Sequence, residues 1–149
     1  MRTADLRDDQ RAVSPATDIR PATTADDIGR ARALFVEYAQ WLKVDLCFQG
    51  FAEELKALPG AYAPPFGRLL LAGTTDAVFA CIALRPLESA SLAEVKRLYV
   101  QPAHRGQRWG YRLAERLIAE ARVIGYRELK LDTLEWMTPA RAKIGRAHV

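Results

Sequence analysis

The chemistry is densest in residues 95–113, where Arg105-Gly106-Gln107-Arg108-Trp109-Gly110 joins an apolar strand to an amphipathic helix. The first turn of a helix leaves backbone N–H groups without partners, and its dipole places partial positive charge there. A glycine-containing loop running into such a turn presents a row of donors suited to a phosphate-bearing ligand. Upstream, the strand Leu92–Val100 carries Glu94 and Lys96. With a period of two, Glu94, Lys96, Leu98 and Val100 share one face of it, and Val95, Arg97 and Tyr99 the other. Glu94 and Lys96 can then pair along that face. His104, in the turn before the loop, is expected at the surface. Cys81, inside an apolar run, is expected in the core rather than as a nucleophile.

Periodicity names the elements that must position these groups. Residues 17–22 read as a short strand, with Pro21 suited to an edge. Thr23 or Thr24 can cap a helix with Asp26 and Asp27 in its first turn. Ile28, Ala31, Leu34, Phe35, Tyr38, Trp41 and Leu42 fall at helical spacing, with Tyr38 and Trp41 as a core or cleft-lining stripe. Arg30, Arg32, Glu37 and Gln40 form the opposite face. A connector, residues 44–50, leads to a short helix over 51–58, stopped by Pro59-Gly60. The turn-rich loop over 61–67, with Tyr62 and Phe66, could lie over a cleft. Strands over 68–72 and 77–85 meet at the hairpin turn Gly73-Thr74-Thr75-Asp76, and residues 92–100 complete an antiparallel meander. A helix from near Arg108 to about Ile124 buries Leu113, Ala114, Leu117, Ile118, Ala121 and Ile124, pairs Arg116 with Glu120, and ends at Gly125. A strand over 128–133 follows. Strand, helix, strand at this spacing is a right-handed crossover to a parallel neighbour, so the fold class is α/β with a mixed sheet.

The bulk properties bound the rest. At 149 residues the chain is one domain with room for a core. A net charge of +4 weakly favours acidic ligands such as phosphates and coenzymes. The basic residues are interspersed with acids, without the block or aromatic interleaving of a nucleic-acid binder. Neither Cys47 nor Cys81 has metal-ligand spacing, so no metal is expected. No apolar run approaches a membrane span and the N-terminus lacks an apolar signal region, which leads to the expectation of a cytoplasmic protein.

With these elements in this order, the sequence resembles the GNAT superfamily of acyl-CoA N-acyltransferases over about residues 18–142. The family's loop reads Arg/Gln-x-x-Gly-x-Gly/Ala after a strand ending in an apolar-aromatic-Val triplet; here the triplet is Leu98-Tyr99-Val100, followed by Gln101-Pro102 and the loop from Arg105 to Gly110. The run Asp45-Leu46-Cys47-Phe48-Gln49-Gly50-Phe51 and the strand end Leu84-Arg85-Pro86 look like a bacterial subgroup with small substrates. Two departures stand out. The first motif glycine is Arg108, with the bulky Trp109 beside it. And where the family continues with a helix bearing a Tyr general acid and then closing strands, no residue here matches. Thr138-Pro139 could start that helix, but the pattern stops after Ala142. Residues 144–149, Ile-Gly-Arg-Ala-His-Val, are what a common short-read sequencing adapter encodes in one frame. The expected organisation is therefore a disordered extension over 1–16, a GNAT domain over 17–142 lacking its last helix and closing strands, and a non-native tail over 143–149.

The resemblance implies an acetyl-CoA-dependent N-acetyltransferase in which a primary amine of a small molecule or peptide attacks the thioester directly. It implies that Gly106, Gln107, Arg108, Trp109 and Gly110 hold the pyrophosphate with Arg105 near its charge. The pantetheine arm would pair along Leu98, Tyr99 and Val100, and a backbone N–H there would polarise the thioester carbonyl. Glu94 lies where some members place a carboxylate base, often acting through water; the ion pair with Lys96 is the competing reading. Asp132 or Glu135 could recognise the substrate amine. The alternative function is a non-catalytic or truncated CoA-binding module. Nucleic-acid and membrane partners are not expected. Homodimers are common in such folds, though these residues carry no signature of one.

Overall fold

A computed structural model of the chain describes residues 18–42 and 50–131. The expected extension over 1–16, most of the connector with Cys47, residues Asp132 and Glu135, the helix start at Thr138-Pro139 and the tail over 143–149 lie outside the described residues.

Five strands form one sheet in chain order: β1 (Asp18–Pro21), β2 (Arg68–Gly73), β3 (Val78–Pro86), β4 (Leu92–Val100) and β5 (Glu128–Leu131). All neighbours are antiparallel except β4 and β5, which run parallel from Leu92–Glu128 to Val95–Leu131. The parallel pair is joined by the expected crossover helix α3 (Trp109–Ile124), ended by Gly125 at φ 118°. Helices α1 (Ala25–Leu42) and α2 (Phe51–Ala57) precede β2. Thr24 caps α1, its Oγ1 accepting from the Asp27 N–H at 3.1 Å.

Both faces of the sheet are buried, which is why Leu69, Leu70 and Leu71 run without a polar break. Leu70, Ile82, Leu84, Val95 and Leu98 pack with Leu113 and Leu117 of α3. Leu69, Leu71, Cys81, Ala83 and Tyr99 pack with Leu34, Phe35 and Tyr38 of α1, Phe51 of α2 and Tyr62. Tyr62 is thus an anchor of this second core rather than part of a loose cover, while Phe66 is exposed.

The period-two reading of β4 fails at Arg97. Between the pairs Ala83–Lys96 and Cys81–Tyr99, two β4 residues, Arg97 and Leu98, oppose the single Ile82. This is a β-bulge, and Arg97 takes it in the left-handed region at φ 62°. The extra residue reverses the alternation. Val95 and Leu98 both face α3, whereas Arg97 and Tyr99 look toward α1 and α2.

Candidate active site

Past Val100 the chain makes a single 3-10 turn, Pro102–His104, then passes through Arg105, Gly106 (φ 85°), Gln107 and Arg108 before α3 begins at Trp109. Arg108 is the residue before the helix and stands at φ 67°, ψ 19°, with no side-chain cap. That is the left-handed conformation, so a backbone requirement explains why glycine suits this position. Among the described residues, the N–H groups of Gly106, Gln107, Arg108, Trp109 and Gly110 make no hydrogen bond, and residues 105–108 are exposed. A Cβ on Gly110 would meet only Val100 Cγ2, at 4.0 Å. Nothing in the described chain therefore demands glycine there, which leaves close approach from outside as its use.

Two residues near the loop pack inward. Trp109 is buried, and its ring meets Phe79 edge-on at 5.0 Å, so its bulk fills the core. His104 is not simply exposed: its ring stacks on Phe79, with centroids 3.8 Å apart and planes 11° from parallel.

The strand edge beside the loop is partly open. The Gln101 N–H donates to Phe79 O at 2.8 Å, so by antiparallel alternation Val100 turns its N–H and C=O away from β3. On that side the described pairing with β5 stops at Val95. Arg105 Nε donates to Val100 O at 2.8 Å, and its guanidinium lies 4.5 Å from the Trp41 ring centroid and 5.8 Å from that of Tyr99. Tyr38, Trp41 and Tyr99 form an aromatic cluster beside this edge, Tyr99 meeting Tyr38 at 5.9 Å and Trp41 at 6.0 Å. Glu37, on the face of α1 opposite its apolar stripe, accepts from the Tyr99 hydroxyl at 3.2 Å and from Gln101 Nε2 at 3.0 Å. Burial pushes the Tyr99 hydroxyl above its ordinary pKa, and the Glu37 charge adds to this.

Below the bulge, Glu94 is buried, with only 7% of its surface exposed. Its partner is Arg85, directly across the β3–β4 register, and not Lys96. Arg85 Nε and Nη2 both approach Glu94 Oε1, at 2.9 and 2.7 Å. Oε2 receives no hydrogen bond among the described residues. Arg97 donates through Nε and Nη2 to the two oxygens of Glu54, at 2.9 and 2.8 Å. The Tyr62 hydroxyl also donates to Glu54, at 3.2 Å, and burial raises its pKa strongly. Arg85 and Glu54 line a cleft of 330 Å³ whose other walls are Glu53, Tyr62 and small or turn residues such as Gly50, Ala57 and Gly60. Arg85, Arg97, Glu54 and Glu37 were not singled out as site residues from sequence. Only the register of β3 on β4 and the bulge bring them in. Cys81 is buried and its thiol is pushed far above the ordinary range by burial, so it is no nucleophile. Among the described residues no group of three or more His, Cys, Asp or Glu could hold a metal ion.

The family model for the acetyltransferase (GNAT) family matches residues 32–143. The chain belongs to the GNAT family. An N-acetyltransferase of Schizosaccharomyces pombe with no assigned function is 35% identical over 115 residues, 76% of this chain and 71% of that protein. A similar protein of Dictyostelium discoideum is 26% identical, covering 77% of this chain and 81% of its own. In the solved structures, a predicted acetyltransferase of Clostridium acetobutylicum with acetyl-CoA superposes with a TM-score of 0.73 at 14% identity, covering 87% of this chain and 88% of its own. The resemblance read from the loop, and the mixed α/β fold with it, are thus borne out. As a GNAT domain the chain is built for acyl-CoA-dependent acetyl transfer. No described helix is long and apolar enough to cross a membrane.

Proposed function

We propose that the protein transfers the acetyl group of acetyl-CoA to a primary amine by direct attack on the thioester. The observation that carries this reading is that one strand, β4, joins both halves of the chemistry. Its end feeds the run of Gly106, Gln107, Arg108, Trp109 and Gly110, whose N–H groups have no partner among the described residues, and its start carries Glu94, with Oε1 held by Arg85 and Oε2 without a hydrogen bond from the described residues. The N–H run, with Arg105 and Arg108 beside it, suits the pyrophosphate of the coenzyme. The edge at Leu98, Tyr99 and Val100 suits its pantetheine arm, once Arg105 gives up Val100 O.

Glu94 Oε2, directly or through one water, takes the proton from the acceptor ammonium; Arg85 holds the carboxylate in place while it does so. The amine nitrogen then forms the bond to the acetyl carbon, a backbone N–H of the bulged segment stabilises the oxyanion, and the C–S bond breaks. The second nitrogen proton leaves to solvent and the thiolate is protonated to free CoA.

The test is thiol release from acetyl-CoA with a panel of amines, beside direct CoA binding. Turnover is expected, and Glu94→Gln should keep CoA affinity while lowering kcat by about 10²-fold or more. Tight CoA binding with no turnover on any amine would instead mark a CoA-binding module.

A further inference from the structure

We infer that the acceptor carries a carboxylate, and that Arg85 selects it. This rests on the reading of Glu94 as the base.

The argument starts from the shape of the guanidinium. Arginine is a rigid planar fork with two edges that each match a carboxylate, Nε with Nη2 and Nη1 with Nη2. In this protein the first edge is committed, since Nε and Nη2 both converge on Glu94 Oε1. Nη1 makes no hydrogen bond or ion pair among the described residues, and the side chain is 39% exposed. Arg85 lines the cleft, and the uncommitted edge is the one left to meet a ligand there.

The other charges of the cleft narrow the ligand further. Glu54 has both oxygens engaged by Arg97 and a third donor in the Tyr62 hydroxyl, so its charge is already paired. Glu53 is exposed at the cleft wall and makes no ion pair among the described residues. Of the charged residues that line the cleft, Glu53 and Glu54 against Arg85 leave one negative charge in excess. A dianion such as a phosphate monoester is repelled by that balance; the excess charge draws the acceptor ammonium, and a carboxylate is left to the outer edge of Arg85. Small wall residues, Gly50, Ala57, Gly60 and Ala61, leave room beside the fork without a large apolar surface to bind.

One guanidinium thus touches both ends of the reaction. A carboxylate on its outer edge lies one side chain away from Glu94, and the free Oε2 is the atom that would meet the amine. The acceptor class this describes is an amino carboxylate, its two groups separated by a few bonds. A simple alkylamine could still react but would leave the outer edge of Arg85 unused.

The experiment uses matched pairs that differ in the carboxylate alone: phenylalanine and phenethylamine, tyrosine and tyramine, histidine and histamine, lysine and cadaverine. Each is assayed for thiol release from acetyl-CoA and, separately, for binding to the protein saturated with CoA by chemical-shift titration. In the native protein at least one carboxylate-bearing member should exceed its partner about tenfold or more in kcat/KM or affinity. Arg85→Gln should bring that ratio to near one, and Arg85→Lys, which keeps charge but not the fork, should restore only part of it. The ratio within a pair is insensitive to any loss of Glu94 orientation, which lowers both members equally. Equal kcat/KM and equal affinity within every pair overturn the inference, and turnover then still stands for the acetyltransferase reading. Selective binding of the carboxylate member without turnover supports the inference and removes the acetyltransferase reading instead. A ratio that survives in Arg85→Gln assigns selectivity elsewhere and overturns the role of Arg85.

Discussion

Arg97 and Glu54, 43 residues apart in sequence, meet as a two-bond fork at 2.8 and 2.9 Å. Arg97 is only 7% exposed and is held between the rings of Phe35 and Phe51, at 6.0 and 5.5 Å from its guanidinium carbon. The pair ties α2 to the bulge of β4, so the helix that walls the acceptor cleft and the strand proposed to carry the thioester share one fastening. Removing one partner strands the other charge. Arg97→Gln is expected to cost about 3 kcal/mol, the low end for a broken buried pair because Glu54 keeps some solvent. Arg97→Gly relieves the left-handed backbone yet still loses the fork, and should remain destabilised by more than 1 kcal/mol, roughly the value of the φ relief. Urea unfolding measures both; a neutral Arg97→Gly would mean that the backbone, not the pair, sets the cost.

Arg108 offers the opposite case. It holds a positive φ of 67° at the head of α3 without any side-chain cap, its guanidinium lying 4.8 Å from the Tyr111 ring centroid. A non-glycine residue in this region costs about 1–2 kcal/mol, part of which the chain entropy of glycine returns. Arg108→Gly is therefore expected to stabilise the fold by roughly 0.5–1 kcal/mol. If Arg108 also faces the coenzyme phosphates, the same variant should bind CoA with a weaker dependence on salt. The two readouts, urea midpoint and CoA affinity against ionic strength, separate backbone from charge.

Acid stability should depend on Asp27 and Glu120. The Arg20 hydrogen bonds, at 2.8 and 2.9 Å, hold the Asp27 carboxyl below its usual range, with Arg30 assisting. For Glu120 burial pulls upward, but Arg116 and Arg68 outweigh it and the net direction is down. Carboxyls lowered in the folded state contribute stability that is complete above their ordinary values, near pH 4, and lost as pH falls through the folded ones. Unfolding free energy should therefore be flat in these groups from pH 7 to 5 and decline below about pH 4. Asp27→Asn should be less stable at pH 7 and decline less steeply in acid. An unchanged acid slope would remove Asp27 from the account.

Much of this architecture is legible from pattern. The meander, the crossover helix and its Gly125 stop all follow from apolar period and turn chemistry, which are local properties of the chain. The loop from Arg105 to Gly110 was readable for the same reason, since a helix start is a local event. What escaped was set by register. Glu94 sits opposite Arg85 only once β3 and β4 are aligned, and its neighbour in sequence, Lys96, was the natural but mistaken partner. The bulge did leave a trace. The residues of β4 that face α3 fall at 93, 95 and 98, one step out of period, with the charged Arg97 where an apolar residue would continue it. A strict alternation cannot absorb that step, so Arg97 and Val95 were placed on one face when they belong to opposite ones. An amphipathic helix face says which residues avoid the core, not which are met by another strand's polar end, as Glu37 is by Tyr99 and Gln101.

Cys81 gives the most direct check on the bulge itself. Its Sγ donates to the carbonyl of Arg97, the left-handed residue of the bulge, at 3.2 Å from a fully buried position. Burial raises the thiol pKa far above that of a free cysteine, which keeps the donor proton in place. In the native protein this thiol should resist alkylation at pH 8 and react only on unfolding, at a rate that tracks the global opening equilibrium. Cys81→Ala removes both the donor and a well-packed atom, and should cost about 1–3 kcal/mol through the orphaned carbonyl. Cys81→Ser replaces the donor but with a shorter reach and a more polar atom, and should fall between the two. Because the bulge is proposed to aim a backbone N–H at the thioester, Cys81→Ala should also lower kcat while CoA affinity, set by the loop, is retained. A stability loss with kcat intact would leave Cys81 as a packing residue and take the bulge carbonyl out of the catalytic argument.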